Sequence, residues 1–335
     1  EQGTYVEQRR GRLTVSDFLV DEWLPAKQAT LKPSTLSAYR TYVDAYVVPS
    51  LGSVALSSLR APQLNAFYAG LLDHGRRSGD GPLSPKMVRN IHGAIHKALD
   101  DAVRWGRLAR NPADLADPPK TAAPEMSIWT ADQIGAFVGH VREDRLAGAW
   151  VLLATTGMRR GELLGLRWID VDFDRSCASV RQTRTVVDYK VLTGTPKTGR
   201  GARTISLDPA TLVALRSHRA RQHQERLLCG PAWTDTGLVF TQPDGTEIHP
   251  QRFSAWFRQH VQAAGLPPIR LHDVRHSYAS ALLRSGQPIK VVSQRIGHAS
   301  PTITMTIYHH VLPSDDAGAA RLGAQLILGT DAADS

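Results

Sequence analysis

The sequence predicts a mainly α chain with a small antiparallel β-sheet, divided into a helical N-terminal domain and a mixed α/β C-terminal domain. Three observations carry this prediction. The 335 residues exceed the usual span of one domain. Apolar residues recur at three and four spacing over most of the chain, the period of helices buried on one face. Alternation is confined to the stretch between Ala178 and Leu207, and a Pro-rich segment from Asn111 to Pro124 separates the two halves.

Taken in order, Ser16 is placed to cap a first helix carrying Phe18, Leu19, Trp23 and Leu24. Pro33-Ser34-Thr35 opens a second through Tyr39, Tyr42 and Val43. Ala61 to Leu72 and Ser84 to Trp105 continue the pattern around a Gly/Arg/Ser/Asp-rich loop from His74 to Pro82. Beyond the Pro-rich segment, Thr130 caps a helix from Ala131 to Val141, and Ala147 to Thr155 forms an apolar helix that stops at Thr156-Gly157. Ala178 to Val187 and Ala202 to Leu207 read as strands joined by a polar turn that holds Lys197. Pro209 to Leu228, Pro250 to Ala264, Val274 to Ser285 and Ile289 to Ile296 return to helical period. The expected organisation is a segment 1–12, a helical domain 13–112, a linker 113–126, a second domain 127–312 and a tail 313–335.

Bulk composition narrows the function. A formal net charge of +9, with arginine well ahead of lysine, favours a polyanionic partner, because a guanidinium grips phosphate bidentately. Two cysteines, Cys177 and Cys229, exclude a disulfide framework and a thiolate-based zinc site, and fit a reducing compartment. No apolar run is long enough to span a membrane, and the polar start lacks a signal-peptide pattern. A cytoplasmic location is therefore expected.

Three strings carry chemistry. In Thr156-Gly157-Met158-Arg159-Arg160-Gly161-Glu162, a Thr-Gly turn leads into a helix with Arg159 in its first turn. Backbone donors and a guanidinium there favour an anion, and Glu162, three residues on, can orient the arginine. A solvated Arg/Glu pair on an ordinary amphipathic helix is the alternative. In Leu271-His272-Asp273-Val274-Arg275-His276, His272 and Arg275 share a helical face. His272 and His276 could also be read as a metal pair, but Asp273 departs from His-Glu-x-x-His and no thiolate cluster lies nearby, so no metal is expected. The third string runs from Ile296-Gly297-His298 to Tyr308-His309-His310, where a tyrosine near a helix end is ordinarily a core residue.

The order of these motifs resembles the tyrosine recombinase, or phage integrase, family. That family's pattern is Thr-Gly-x-Arg-x-x-Glu, a hairpin lysine, His-x-x-Arg, Leu-Gly-His and a tyrosine shortly before the C-terminus. Here the matching residues are Arg159, Glu162, Lys197, His272, Arg275, His298 and Tyr308. Ile296 replaces the usual Leu, a volume-conserving change, and Lys190 competes with Lys197 for the hairpin position. The resemblance covers the C-terminal half and, more loosely, the N-terminal helices, whose closing Asn111-Pro112 looks like the end of a core-binding domain.

The resemblance implies a helical core-binding domain, a mixed α/β catalytic domain of the tyrosine recombinase type and a site-specific integrase acting through a 3′-phosphotyrosine, without cofactor or metal. Arg159, Arg275 and His298 would hold the phosphate, His272 would act near the attacking oxygen, Lys197 would protonate the leaving 5′-oxygen, and Tyr308 would attack. Glu162 would be a supporting residue. The expected partners are double-stranded DNA core sites, a homotetramer on DNA and accessory DNA-bending or directionality proteins, with no membrane. Lys32, Arg40, Arg89 and Lys97 are candidate DNA contacts, each equally readable as a solvated surface residue. Gly3-Thr4-Tyr5-Val6-Glu7 looks like the connector that follows an arm-site-binding domain, and the apolar segment Ala317 to Leu328 like a tail that docks on a neighbouring protomer, with packing in cis as the alternative. Two alternatives stand beside the integrase: a non-catalytic DNA-binding relative and a type IB topoisomerase.

Overall fold

The computed structural model describes residues 13–77, 79, 81–121, 127–195, 201–308 and 323–327. The chain divides into two compact units, residues 1–125 with 187–190 and residues 126–186 with 191–335.

The first unit is helical. Helix α1 is a π-helical stretch, Asp17–Trp23, continued by Leu24–Lys27. Thr14, rather than the expected Ser16, starts it. Thr14 Oγ1 accepts from the Asp17 amide and Asp17 Oδ2 accepts from the Thr14 amide, both at 3.1 Å, while Ser16 already has helical angles. Helix α2, Pro33–Tyr42, begins on a proline whose missing N–H costs nothing there, and runs on through Val43–Val47 and Val48–Leu51. Helices α3, Ala61–His74, and α4, Pro85–Arg104, complete the unit, α4 capped by the Ser84 hydroxyl. Phe18, Trp23, Leu64, Tyr68, Val88 and Ile91 form its core.

Within that core Asp101 is fully buried on α4. Its carboxylate accepts from the Trp23 indole N–H at 2.9 Å and pairs with Lys27 at 2.6 Å, Lys97 at 3.3 Å and Arg104. A buried carboxylate persists only when donors and cations surround it. Asp101→Ala strands the indole N–H and the Lys27 ammonium. The expected loss is about 3 kcal/mol of stability, read as a lower denaturant midpoint for the unit that contains Trp23.

Residues 113–119, expected in an extended linker, pack instead on this unit. Pro112–Leu115 form a 3-10 turn capped by the Asn111 side chain, and Ala113 is buried. Asp117 exchanges two hydrogen bonds with Asn65. Prolines signal an end to helix, but they do not prevent a chain from lying against apolar surface.

The second unit surrounds α6, Ala147–Thr156, which is largely buried between α5, Ala131–His140, and α8, Pro209–Cys229. A short helix α7, Arg160–Leu164, precedes the strands. Strands β1, Val171–Asp172, β2, Cys177–Val180, and β5, Arg203–Ser206, form an antiparallel sheet in the order β1-β2-β5, with Ala178 opposite Ile205. Strands β3, Thr183–Val187, and β4, Lys190–Gly194, form a separate hairpin.

This differs from the two strands read in the sequence. The run Ala178 to Val187 breaks where the Gln182 side chain turns to donate to the Gly165 carbonyl at 2.8 Å. Strand β4 arises within the expected polar turn because Asp188 and Tyr189 both take positive φ, 47° and 63°, the twist that a two-residue hairpin requires. Exposed strands of this kind lack the apolar alternation by which strands are read.

Helices α9, Pro250–Ala263, α10, Leu271–Arg284, α11, Ile289–Ile296, and α12, Pro301–Tyr308, complete the unit. Trp150 stacks on Phe253 at 4.3 Å in its main core. Helix α10 starts three residues before the expected Val274, because Asp273 accepts the Arg270 amide at 2.8 Å and so caps an earlier first turn. His272 is thereby helical. Residues 323–327 are helical with Leu326 and Ile327 exposed, whereas the rest of the expected Ala317 to Leu328 helix, the segment 1–12 and most of the tail 313–335 lie outside the described residues. Among the described residues no helix is long and apolar enough to cross a membrane.

Candidate active site

The site is built where α6 ends. Gly157 takes φ +63°, and a Cβ there would lie 2.8 Å from the Tyr278 ring, so only glycine makes this turn without moving α10. Its carbonyl accepts from Arg275 Nη1 at 2.8 Å. The chain then enters α7 with Arg159 at the N-cap, one position before the expected first turn. Because α7 has only five residues, its dipole is small and the local positive charge comes from side chains.

Arg159 is held at three points. Its amide donates to Glu162 Oε2 at 2.9 Å, Nη1 to Glu162 Oε1 at 2.8 Å and Nη2 to the Gly297 carbonyl at 2.9 Å. Glu162 is buried yet ionised. Burial alone would raise its pKa, but hydrogen bonds and charge from Arg203, with the charge of Arg159, hold it below the usual carboxylate value. Arg203 is a participant that the sequence pattern did not flag.

Arg275 is 1% exposed, and its Nη2 has no hydrogen-bond partner among the described residues. Burial first, and the charge of Arg159 second, push its pKa down to about 9, which leaves it cationic at neutral pH. The same causes act on two imidazoles. His272 is pushed down to about 4 by burial and by His276, Arg275 and Arg159. His298, which follows Gly297 and bonds Thr304 Oγ1 through Nδ1 at 2.9 Å, is also pushed down to about 4, by burial and then by Arg275 and Arg159. Both are therefore neutral at pH 7.

Arg159, His272 and His298 line one cavity of about 800 Å³, together with Arg160, Arg258 and Arg270. Arg160 is steadied by the Ser254 hydroxyl at 2.7 Å. Arg160 falls at an unassigned position of the first string, and Arg258 and Arg270 lie outside all three. Their only advance sign is the basic composition.

Tyr308, at the end of α12, is fully buried among Ala279, Leu283, Val292 and Ile296. It does not line the cavity. His272 is the expected neighbour of the attacking oxygen, but the Tyr308 hydroxyl meets His276 Nδ1 instead, at 2.6 Å. His276 lies one helical turn beyond His272 on α10, and its pKa is lowered chiefly by burial. In the tautomer protonated at Nε2, His276 accepts the phenolic hydrogen, while burial pushes the Tyr308 pKa up to about 12 against the pull of Arg275. The sequence offered His276 only as a metal ligand; Nδ1 is committed to the tyrosine.

Lys197 lies outside the described residues, and Lys190 is exposed at the start of β4. Of the candidate DNA contacts, all four are exposed. Lys32 stands at the N-cap of α2 and Arg40 near its end, whereas Arg89 reaches the Pro119 carbonyl at 3.4 Å and Lys97 pairs with Asp101.

The model of the phage integrase family matches residues 129–315. The chain belongs to the phage integrase family. A second model, the N-terminal SAM-like domain of phage integrases, matches residues 14–72. Among curated relatives, a XerC-like tyrosine recombinase of Caldanaerobacter subterraneus subsp. tengcongensis is 28% identical over 92% of this chain and 82% of its own length. The ICEBs1 integrase of Bacillus subtilis is 26% identical over 91% of this chain and 82% of its own length. The Tn1549 transposon integrase, solved with transposon right end DNA, superposes with a TM-score of 0.75 at 19% identity, covering 94% of this chain and 100% of that one. A lambda integrase chain from a tetramer on a Holliday junction gives 0.62 at 18% identity, over 90% of this chain and 82% of that one. These structural likenesses are ones of fold. As a phage integrase family member, the chain is a tyrosine recombinase of the integrase type, an enzyme of site-specific DNA recombination.

Proposed function

We propose that this integrase cuts and rejoins double-stranded DNA at core sites through a 3′-phosphotyrosine on Tyr308, and so integrates or excises a mobile element. The observation that carries the reading is the joining of a Tyr308–His276 pair to a cavity lined by Arg159, His272 and His298 through one helix, α10, which supplies His272, Arg275 and His276.

A phosphodiester entering the cavity gathers charge on its nonbridging oxygens as a fifth oxygen approaches, so fixed donors there lower the barrier. Arg159 and the unpartnered Nη2 of Arg275 supply cationic donors, and His298 donates through Nε2 in the tautomer whose Nδ1 accepts from the Thr304 hydroxyl. Neutral His272 adds a hydrogen bond beside them. Tyr308 Oη, buried and outside the cavity lining, has to reach the phosphate for this step. As Oη bonds to phosphorus, its proton passes to His276 Nδ1 and the bond to the 5′-oxygen breaks. Lys197 delivers a proton to that oxygen. The phosphotyrosine conserves the bond energy, so a 5′-hydroxyl from a second duplex reverses the step onto a new partner.

The DNA complex of the Tn1549 integrase and the lambda integrase tetramer on a Holliday junction support duplex DNA and a homotetramer as the working assembly here. Accessory bending or directionality proteins complete the proposed set of partners. The test uses labelled suicide duplexes from the element's own attachment region, resolved on a denaturing gel with added chelator. A covalent protein–DNA band whose linked peptide contains Tyr308 is the expected result. Binding to the same duplexes without any covalent band would instead support a non-catalytic DNA-binding relative.

A further inference from the structure

Arg203, on β5, belongs to none of the motifs that identify the family site, yet it touches three parts of it. Its guanidinium forks onto Glu162, with Nη1 to Oε1 at 3.1 Å and Nη2 to Oε2 at 3.0 Å. Its Nε donates to the Arg295 carbonyl at 2.9 Å, in the last turn of α11 before Gly297-His298. Nη1 also reaches the Gly201 carbonyl at 3.2 Å, at the end of the segment that carries Lys197. The fit is close. Gly297 takes φ +69°, and a Cβ there would stand 2.9 Å from Arg203 Nη1. The Gly297 carbonyl is in turn the acceptor for Arg159 Nη2.

We infer that Arg203 is a positioning residue for phosphodiester cleavage, which keeps Glu162 ionised and seats the Gly297-His298 turn so that Arg159 and His298 face the phosphate together. The inference rests on the reading of Arg159 as a phosphate donor. Its physical logic is one of competition for a carboxylate. Arg159 uses Oε1 and, through its amide, Oε2; Arg203 uses the same two oxygens from the other side. A carboxylate held from both sides has no freedom to rotate, and it fixes the direction of the exposed arginine. Arg203 itself is 8% exposed at the side chain, so it cannot serve as a mobile DNA contact.

Ionisation depends on the same contact. The charged groups that face Glu162 are Arg159 from the turn after α6, Arg203 from β5 and Arg275 from α10, with His272 and His298 neutral nearby. Without Arg203, burial is opposed mainly by Arg159, and the carboxyl takes up a proton at higher pH. Since the ionised form is the one that orients Arg159, activity is lost as pH falls through the raised value. Arg203→Met is expected to slow single-turnover covalent capture about 100-fold, with DNA affinity within about threefold of wild type and an acid limb moved to higher pH. Arg203→Lys keeps a cation but not the fork. It should restore the acid limb while recovering only part of the rate. Glu162→Gln should remove the displaced limb and add little further loss when combined with Arg203→Met.

The experiment measures capture on the suicide duplex from pH 5 to 9 for wild type, Arg203→Met, Arg203→Lys, Glu162→Gln and Arg159→Ala, with melting curves and DNA affinity for each. Should Arg203→Met fail to fold, the Arg203→Lys and Glu162→Gln pair still reports the rate against the fixed limb. A normal rate in Arg203→Met, or a loss that follows DNA affinity with no change in pH profile, overturns the role of Arg203. Activity in Arg159→Ala would overturn the underlying clamp reading instead, so the two failures are distinct.

Discussion

Tyr308→Phe is expected to abolish covalent capture of suicide duplexes, by about 10⁵-fold or more in single-turnover rate, while DNA affinity stays within about threefold. The size of the effect follows from chemistry that no neighbouring group replaces. In the proposed reaction the phenolic oxygen is the atom that bonds to phosphorus, and phenylalanine keeps the ring that packs against Ala279, Leu283, Val292 and Ile296. The structural cost is small by comparison: His276 Nδ1 loses its hydrogen-bond donor, about 1 kcal/mol. Denaturing electrophoresis and fluorescence anisotropy on one set of duplexes separate the two quantities. Residual capture in the variant would place the nucleophile elsewhere, and loss of DNA binding would mean that Tyr308 holds the fold rather than the phosphate.

Arg275→Met should separate activity from stability in the opposite sense. Capture is expected to fall by about 10⁴-fold, because a guanidinium contributes more than one donor to the developing charge and each such donor is worth about 10²- to 10³-fold. Folding stability is expected to stay level or rise by about 1 to 2 kcal/mol. The native side chain is almost entirely buried, has one unpartnered nitrogen and is repelled by Arg159, against which stand only the attraction of Glu162 and one bond to the Gly157 carbonyl. A buried charge so incompletely satisfied is a cost of folding that methionine, similar in length and apolar, does not carry. Chemical denaturation beside capture kinetics reads both effects. A variant that is both inactive and several kcal/mol less stable would show that Arg275 is a structural tie to the Gly157 carbonyl, not a phosphate ligand.

The residues of the candidate site are legible in the sequence for an identifiable reason. Arg159, Glu162, His272, Arg275, His298 and Tyr308 lie in local strings whose internal spacing matches a helix or a tight turn, and the structure gathers all of them into the second unit. The helical period likewise located α4, α8, α9 and α11, whose apolar faces are buried by the core. What escaped was set by contacts across the fold. Arg203 meets Glu162 from 41 residues away, and His276 meets Tyr308 from 32 residues away; neither distance leaves a local pattern. Strand β4 escaped because it is mostly exposed, and Thr14 escaped as a cap because Asp17 returns its bond one residue beyond the expected start.

The crowding that keeps His272 and His298 neutral has a consequence for the bound complex. In the proposed complex, a phosphodiester beside Arg159 and Arg275 offsets the part of the lowering that those charges cause in both imidazoles, while burial, the larger cause, remains. The charge contribution alone favours proton uptake on DNA binding, so the heat of binding compared in buffers of different ionisation enthalpy is expected to show which of the two causes prevails.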